Sequence, residues 1–215
     1  MNPSGERERI FVFGASGHGK VVIDTLEQQG TYDIAFVADD DPSRSAASFF
    51  GYPLAGGRDA MVAMARSAGV RRGIVAIGSN RARRTVAEWL AAAGFGFVAA
   101  IHPAAVVGRG VTVGAGSLVV GGAVINPDTR IGLHTIINTA STVDHDCAVG
   151  DFVHVAPGAH LCGGVNVGDE VFVCAGATII PNITVGDGAV IGAGSTVLTN
   201  VARATTVVGT PARQR

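Results

Sequence analysis

The sequence predicts two bodies: an α/β domain built on a small Rossmann-like parallel sheet over residues 1–100, and an all-β parallel prism over residues 101–215. Three observations predict them. From Ile101 to Val197 an aliphatic residue recurs every six positions without a break; Ile101, Val107, Val113 and Val119 open the series, and Val185, Ile191 and Val197 close it. Chance does not hold one register for about a hundred residues, and a six-residue period is the signature of a parallel β-helix. Before residue 100 short apolar runs alternate with helical stretches. Between the first run and the first helical stretch stands Gly14-Ala-Ser-Gly17-His18-Gly19-Lys20.

The elements follow in order. Ile10 to Phe13 is a short buried strand that ends at Gly14, and Val21 to Gln29 is helical. Ile34 to Ala38 is a second strand, closed by Asp39, Asp40 and Asp41. Asp59 to Ala68 is a helix, and Gly73 to Ile77 a third strand followed by Gly78-Ser79-Asn80. Arg81 to Ala93 is a helix and Phe95 to Ala99 a last strand. Four strands amount to half of a doubly wound sheet.

From Ile101 the unit is six residues, one short strand and a corner; three units make one triangular coil of eighteen residues. Stacked coils pair their backbones at roughly 4.8 Å. The aliphatic residue fills the interior, and the residue four places on, such as Ala105, Ser117, Ala123 or Cys147, is small or β-branched and belongs near a corner. Gly116, Gly122 and Gly158 supply corner conformations expected to be closed to other residues. The period does not fix the hand of the coil.

Composition narrows the function. A net charge of −1 gives no field for nucleic acid or an anionic membrane. No apolar run reaches membrane-spanning length, and Glu6, Arg7, Glu8 and Arg9 before Ile10 lack a signal-peptide core. Three cysteines, Cys147, Cys162 and Cys174, are an odd number without metal-motif spacing, which fits structural thiols in a reducing cytoplasm.

Ligands of parallel sheets bind beyond the carboxyl ends of the strands. Three loops arrive there: Gly14 to Gly19, Asp39 to Asp41, and Gly78 to Asn80. A Gly-rich turn that opens a helix holds phosphate on backbone N–H groups, and an acidic loop about twenty residues on suits ribose hydroxyls. The spacing is G-x-x-G-x-G, which departs from the dinucleotide G-x-G-x-x-G and favours a nucleotide sugar over a redox nicotinamide.

Several segments together carry a resemblance. They are Val12-Phe-Gly-Ala-Ser-Gly-His-Gly19, Asp39-Asp40, Ala76-Ile-Gly-Ser-Asn80, Asn138-Thr-Ala-Ser-Thr-Val-Asp-His145-Asp-Cys-Ala-Val-Gly150 and Val208-Gly-Thr-Pro-Ala-Arg213. With the hexad prism behind them, the chain resembles the hexapeptide-repeat acyltransferases of the sialic-acid O-acetyltransferase and bacillosamine-pathway N-acetyltransferase group over nearly its whole length. The resemblance implies a left-handed β-helix, against the usual right-handed crossover. It implies a homotrimer with active sites in the clefts between prisms, and acetyl-CoA as co-substrate without a metal. The acceptor it implies is a nucleotide-linked 4-amino-4,6-dideoxysugar, with GDP-perosamine as the type, used in surface-polysaccharide synthesis.

By the same resemblance His145 is the catalytic base and Asp146 its partner, where the family has Glu. Asn138 and His154 line the acetyl-donor end of the cleft. The N–H of Gly163 faces the thioester carbonyl, and Ala175 and Ala193 make backbone contacts to coenzyme A. Ser16, Gly17, His18, Asp39, Asp40 and Gly78 form the nucleotide-sugar pocket.

The chemistry supports His145 independently. A neutral amine attacks the thioester, and an imidazole that titrates near neutrality takes its proton. Along a regular strand Asp146 points away from His145, so it orients the ring only where the chain bends. Rival readings are an O-acetyltransferase of the sialic-acid type, a trimeric zinc enzyme of the γ-carbonic-anhydrase type, and a non-enzymatic scaffold. His134, His145, His154 and His160 lie within one and a half coils, but His145 and His154 are half a coil apart, so zinc requires several chains.

Overall fold

The computed structural model describes residues 7–41 and 48–215, and Glu6 lies outside them. The chain divides into two compact units, Met1–Ala100 and Ile101–Arg215.

In the first unit β1 (Glu8–Phe13) is buried from Ile10 onward, as a strand covered on both faces must be. α1 (Gly17–Gln29) buries Val22, Ile23 and Leu26 and stops at Gly30 in the left-handed conformation. β2 (Tyr32–Asp39) follows, and then a hairpin, β3 (Ser48–Phe49) and β4 (Tyr52–Gly56), which the sequence reading did not anticipate. α2 (Arg58–Ala68), β5 (Arg72–Val75), α3 (Asn80–Ala92) and β6 (Gly96–Phe97) complete the unit.

The strand order is β3-β4-β2-β1-β5-β6, parallel except for the β3–β4 hairpin. The chain moves outward from β1 through β2 to β4, then crosses back to β5 on the other side of β1. The half-sheet expectation is thereby corrected: both directions of winding are present, and the order reverses between β1 and β5. That reversal opens the crevice where such sheets bind ligands.

The second unit is a left-handed parallel β-helix. Two-residue strands recur every six residues, and partners lie one coil of eighteen apart, as in Val106↔Val124↔Thr142↔His160↔Thr178. Val119, Ile125, Ile137, Val143 and Val155 are fully buried along the axis. Ala123, Cys147, Val153 and Ala159, from the row four places on, are equally buried, so that row faces the core and not only the corner. Where it is polar it is satisfied internally. The Ser117, Thr129 and Thr135 hydroxyls donate to the carbonyls of Gly132, Asp144 and Gly150 at 2.7, 2.7 and 2.8 Å.

The corners correct another expectation. Gly158 and Gly164 take φ of 65° and 69° there, but Asp128, His134, Ala140 and Asp146 occupy the same corner position at 61°, 52°, 53° and 57°. The left-handed conformation is thus open to side chains, at some cost in strain. The last step shortens: Ile191 pairs with Val207, sixteen residues on, and Thr206–Val208 then pairs antiparallel with Arg213–Gln214.

Candidate functional site

The corner that carries Asp144-His145-Asp146 bends as the candidate pair requires. Asp146 sits at φ 57°, and this turn brings its Oδ2 to 2.8 Å from His145 Nδ1. A carboxylate that accepts from Nδ1–H leaves Nε2 unprotonated in the neutral ring. Asp144 holds the other side: its Oδ1 accepts the His145 N–H at 2.8 Å and the Asn126 side-chain amide at 2.7 Å. Thr129 ties the same turn from inside the prism through the Asp144 carbonyl.

These carboxylates set the electrostatics. The Asp146 hydrogen bond first, and the Asp144 charge second, push the His145 pKa above the usual imidazole value. Asp144 is held below the ordinary carboxylate value, chiefly by the Asn126 hydrogen bond. The His145 side chain is 61% exposed, so its proton exchanges freely with solvent.

Gly163 lies one coil beyond His145. A Cβ there would stand 2.8 Å from both Cε1 and Nε2 of the His145 ring, so the imidazole occupies the space a side chain would need. The Gly163 N–H is buried and donates to no acceptor among the described residues. The exposed corner amides of Ala175 and Ala193 likewise have no acceptor there. Some other corner amides are capped, Thr139 by Asn138 Oδ1 at 2.8 Å and Asp151 by Asp169 Oδ1 at 2.8 Å, while those of Arg109, Ala115, Gly121 and Asp187 also have no acceptor among the described residues.

On another face Asn138 Nδ2 lies 3.1 Å from His154 Nε2, and the His154 ring packs on Phe172 at 5.1 Å. His134 is stacked on Phe152 at 4.9 Å and is buried, while His160 Nδ1 pairs with the Thr142 hydroxyl at 2.9 Å. Among the described residues no group of three or more His, Cys, Asp or Glu is placed to hold a metal ion. Burial pushes the Cys147 thiol up, and its Sγ donates to the Cys162 carbonyl at 3.2 Å.

In the first unit the loops after β1 and β5 meet at the reversal point. Gly14, at φ 129°, has the Ala76 carbonyl oxygen 2.5 Å from where a Cβ would be, so packing alone demands glycine there. Gly17 and Gly78 are different. A Cβ on either meets nothing within 4 Å, and neither has a left-handed φ. The fold does not require these glycines, and the space beside them is open. Ser16 is the N-cap of α1 but makes no side-chain capping bond, and the first turn carries no acidic residue, so this helix start favours an anion. His18 is half-buried in that first turn.

The two aspartates are already engaged. Asp39 Oδ2 accepts the Ala15 N–H at 2.8 Å and Oδ1 the Asp41 N–H at 3.1 Å, which ties the ends of β1 and β2 together. Asp40 forms a two-point ion pair with Arg58 at 2.7 and 3.1 Å, and that guanidinium lies over Trp89.

Residues 9–90 match the PglD N-terminal domain family, and residues 164–199 match the bacterial transferase hexapeptide family. The PerB structure from Caulobacter crescentus, solved with CoA and GDP-perosamine, is 39% identical and covers 96% of each chain at a TM-score of 0.89. The chain belongs to the hexapeptide-repeat, acetyl-CoA-dependent sugar N-acetyltransferases.

Another member with a solved structure is the acetyltransferase domain of PglB from Neisseria gonorrhoeae FA1090, in complex with acetyl coenzyme A. It is 36% identical and covers 98% of this chain and all of that one at a TM-score of 0.87. The curated GDP-perosamine N-acetyltransferase of Escherichia coli O157:H7 is 35% identical over 89 residues, a match that spans 40% of that protein's length. No helix among the described residues is long and apolar enough to cross a membrane.

Within this N-acetyltransferase frame, the structure brings His145, Asp146 and Gly163 together at one corner, and Asn138 and His154 together on a face. Sequence reasoning missed Asp144, Asn126 and Thr129, which hold the histidine turn. Asn126 stands one coil before Asp144, so a search at eighteen-residue offsets would have found it.

One test follows from the Asp146 contact. Asp146→Asn keeps a residue that tolerates the left-handed corner and removes the charge. The His145 pKa should fall, so the acidic limb of the kcat/KM profile should move to lower pH. A limb that stays in place removes the pair from the mechanism.

Proposed function

We propose that the chain transfers the acetyl group of acetyl-CoA to the 4-amino group of a nucleotide-linked 4-amino-4,6-dideoxysugar of the GDP-perosamine kind. One observation carries the reading: an imidazole with Nδ1 tied to a carboxylate and Nε2 left to accept a proton, beside a buried N–H without a partner. The amine attacks the thioester carbonyl while His145 Nε2 takes its proton. The Gly163 N–H faces the oxyanion of the tetrahedral intermediate. The C–S bond then breaks, and the thiolate takes the proton back from His145 and leaves as coenzyme A. Asn138 and His154 line the acetyl-donor path, and the uncapped amides of Ala175 and Ala193 receive the amide-bearing arm of coenzyme A.

The first unit, residues 1–100, holds the nucleotide, with Ser16, Gly17, His18 and Gly78 as its contacts. Asp39 and Asp40 act mainly by fixing the loops, since both carboxylates already carry partners. The second unit, residues 101–215, carries the base and the acetyl donor. The active species is a homotrimer, in line with exposed apolar positions such as Val106, Leu133 and Leu198 on the prism. Its place is the cytoplasm, which keeps the three thiols reduced.

Incubation with acetyl-CoA and a panel of nucleotide amino-sugars should release free thiol with a 4-amino-4,6-dideoxysugar. The product's acetyl group should resist hydroxylamine, as an amide does. Hydroxylamine-labile acetate would move the assignment to O-acetylation, and no release with any amino sugar would end it. The same preparation should weigh as a trimer by light scattering; a fully active monomer would overturn that part.

Gly17→Ala tests the nucleotide assignment. Gly17 is the first residue of α1, so alanine should leave stability unchanged or raise it, by up to about 1 kcal/mol. Its methyl group enters the open space beside the turn, so sugar-nucleotide affinity should fall while acetyl-CoA affinity stays. Unchanged sugar-nucleotide affinity would make the turn a packing feature only.

A further inference from the structure

Cys147 stands two residues after His145, yet its side chain faces the interior of the prism and is fully buried. Its Sγ donates to the Cys162 carbonyl at 3.2 Å and accepts from the Val165 N–H. Burial pushes the thiol pKa up, so the sulfur keeps the proton that it donates. The acceptor belongs to the peptide whose nitrogen is that of Gly163. That peptide is trans, and across a trans peptide the C=O and the N–H point in opposite directions. A carbonyl drawn inward to Cys147 therefore turns the Gly163 N–H outward, to the corner that carries the His145 ring.

Four other corner peptides of the prism are held from inside in the same way. Ser117, Thr129, Thr135 and Ser141 donate to the carbonyls of Gly132, Asp144, Gly150 and Asn138 at 2.7, 2.7, 2.8 and 2.7 Å. In all four the N–H that follows is capped by a side-chain oxygen. Asp151 caps Leu133, Asp144 caps His145, Asp169 caps Asp151 and Asn138 caps Thr139, at 2.6, 2.8, 2.8 and 2.8 Å. Gly163 is the exception among the five: its N–H has no acceptor among the described residues. The peptide that is held from within and left open without is the one beside the base. An N–H fixed in advance needs no reorganisation when charge develops on an oxyanion, and a peptide free to rock loses that advantage.

We propose that Cys147 is a positioning residue for acetyl transfer: its buried S–H fixes the Cys162–Gly163 peptide with the N–H outward, so that it meets the oxyanion of the tetrahedral intermediate. The proposal rests on the reading of Gly163 as the oxyanion donor. Cys147 touches neither substrate, and its nucleophilicity plays no part. It supplies a donor at one point of the inner row, so a hydroxyl serves in its place and a methyl group does not.

The test uses the full chain with acetyl-CoA and GDP-perosamine, or the amino sugar of the panel that the wild type acetylates in its place. Cys147→Ala removes the donor; kcat should fall about tenfold, less than for loss of a whole oxyanion donor, with both KM values within about twofold. Cys147→Ser keeps a donor and should hold kcat within about threefold of wild type. The acidic limb of the pH profile should stay in place in both, because the His145–Asp146 contact is unaltered. Thr135→Val is the control. It removes the same kind of bond behind the capped Asp151 N–H, so it should lower the melting temperature and leave kcat within about twofold. Where Cys147→Ala fails to fold, Cys147→Val replaces it, since Val153 and Val165 fill the same row, and should show the same loss. A folded alanine or valine variant with kcat within about twofold of wild type overturns the proposal. So does a serine variant as slow as the alanine one, a shifted acidic limb, or an equal loss of kcat in Thr135→Val. A wild-type chain that acetylates no nucleotide amino sugar overturns the underlying reading instead.

Discussion

His145→Asn should lower kcat by about a hundredfold or more, the scale expected for loss of a general base. The fold should be untouched, because the His145 side chain is exposed and its backbone N–H, which caps Asp144, remains. Acetyl-CoA should bind as before, since the Gly163, Ala175 and Ala193 amides are unaltered. The loss should appear in kcat more than in either KM, because the imidazole is needed when the proton moves and not when ligands dock. The acidic limb attributed to His145 should vanish from the pH profile, and residual turnover should follow the fraction of neutral amine in the substrate. Steady-state kinetics across pH with calorimetry for acetyl-CoA checks all of this. Near-normal turnover across the range would remove His145 from the mechanism.

The inward row of the prism was legible from Val119 onward because its rule is local and repeated, whereas Val107, in the first coil, is 40% exposed. Each hexad states which residue faces inward, and the stacking converts sequence distance into spatial distance at eighteen residues per coil. That conversion places Gly163 under His145 and Asn126 beside Asp144. The orientation of Asp146 stayed open in the sequence because one local rule overrides another there. Strand alternation turns Asp146 away from His145; the corner's positive φ turns it back, and alternation ends wherever a strand is two residues long.

The first unit was less legible for a similar reason. β4, with the sequence Tyr-Pro-Leu-Ala-Gly, contains a proline and little β-branched content, so it carries no strand signal. Without it the sheet looked half-built and the reversal between β1 and β5 was hidden. Arg83 was hidden differently: it lies in a run with Arg81 and Arg84 that reads as a solvated helix face. Only the fold shows that its guanidinium turns inward, to the carbonyls of Ile77 and Gly78. Gly17 and Gly78 were visible as glycines, but the sequence could not separate them from Gly14, which packing requires.

Gly163→Ala should inactivate nearly as fully as loss of the histidine, without removing any reactive group. The Gly163 backbone is not left-handed, so alanine meets no φ penalty there. The added methyl carbon, however, would stand 2.8 Å from His145 Cε1 and Nε2, nearer than carbon atoms approach in folded proteins. The backbone is fixed by stacked coils, with Gly164 N–H donating to the His145 carbonyl and Asn182 N–H to that of Gly163, both at 3.0 Å. The exposed ring is the softer element and must swing outward. Swinging strains or breaks the Nδ1 contact with Asp146 and carries Nε2 away from the point where the amine proton is delivered. A misplacement of about 1 Å at such a point costs about a hundredfold in rate, while the melting temperature should hold because the prism core is unchanged. Since ring and glycine act through one contact, the effects should not add: Gly163→Ala combined with His145→Asn should be no slower than His145→Asn alone. A Gly163→Ala chain whose kcat stays within about twofold of wild type would show that the ring's position over Gly163 is not the catalytic one.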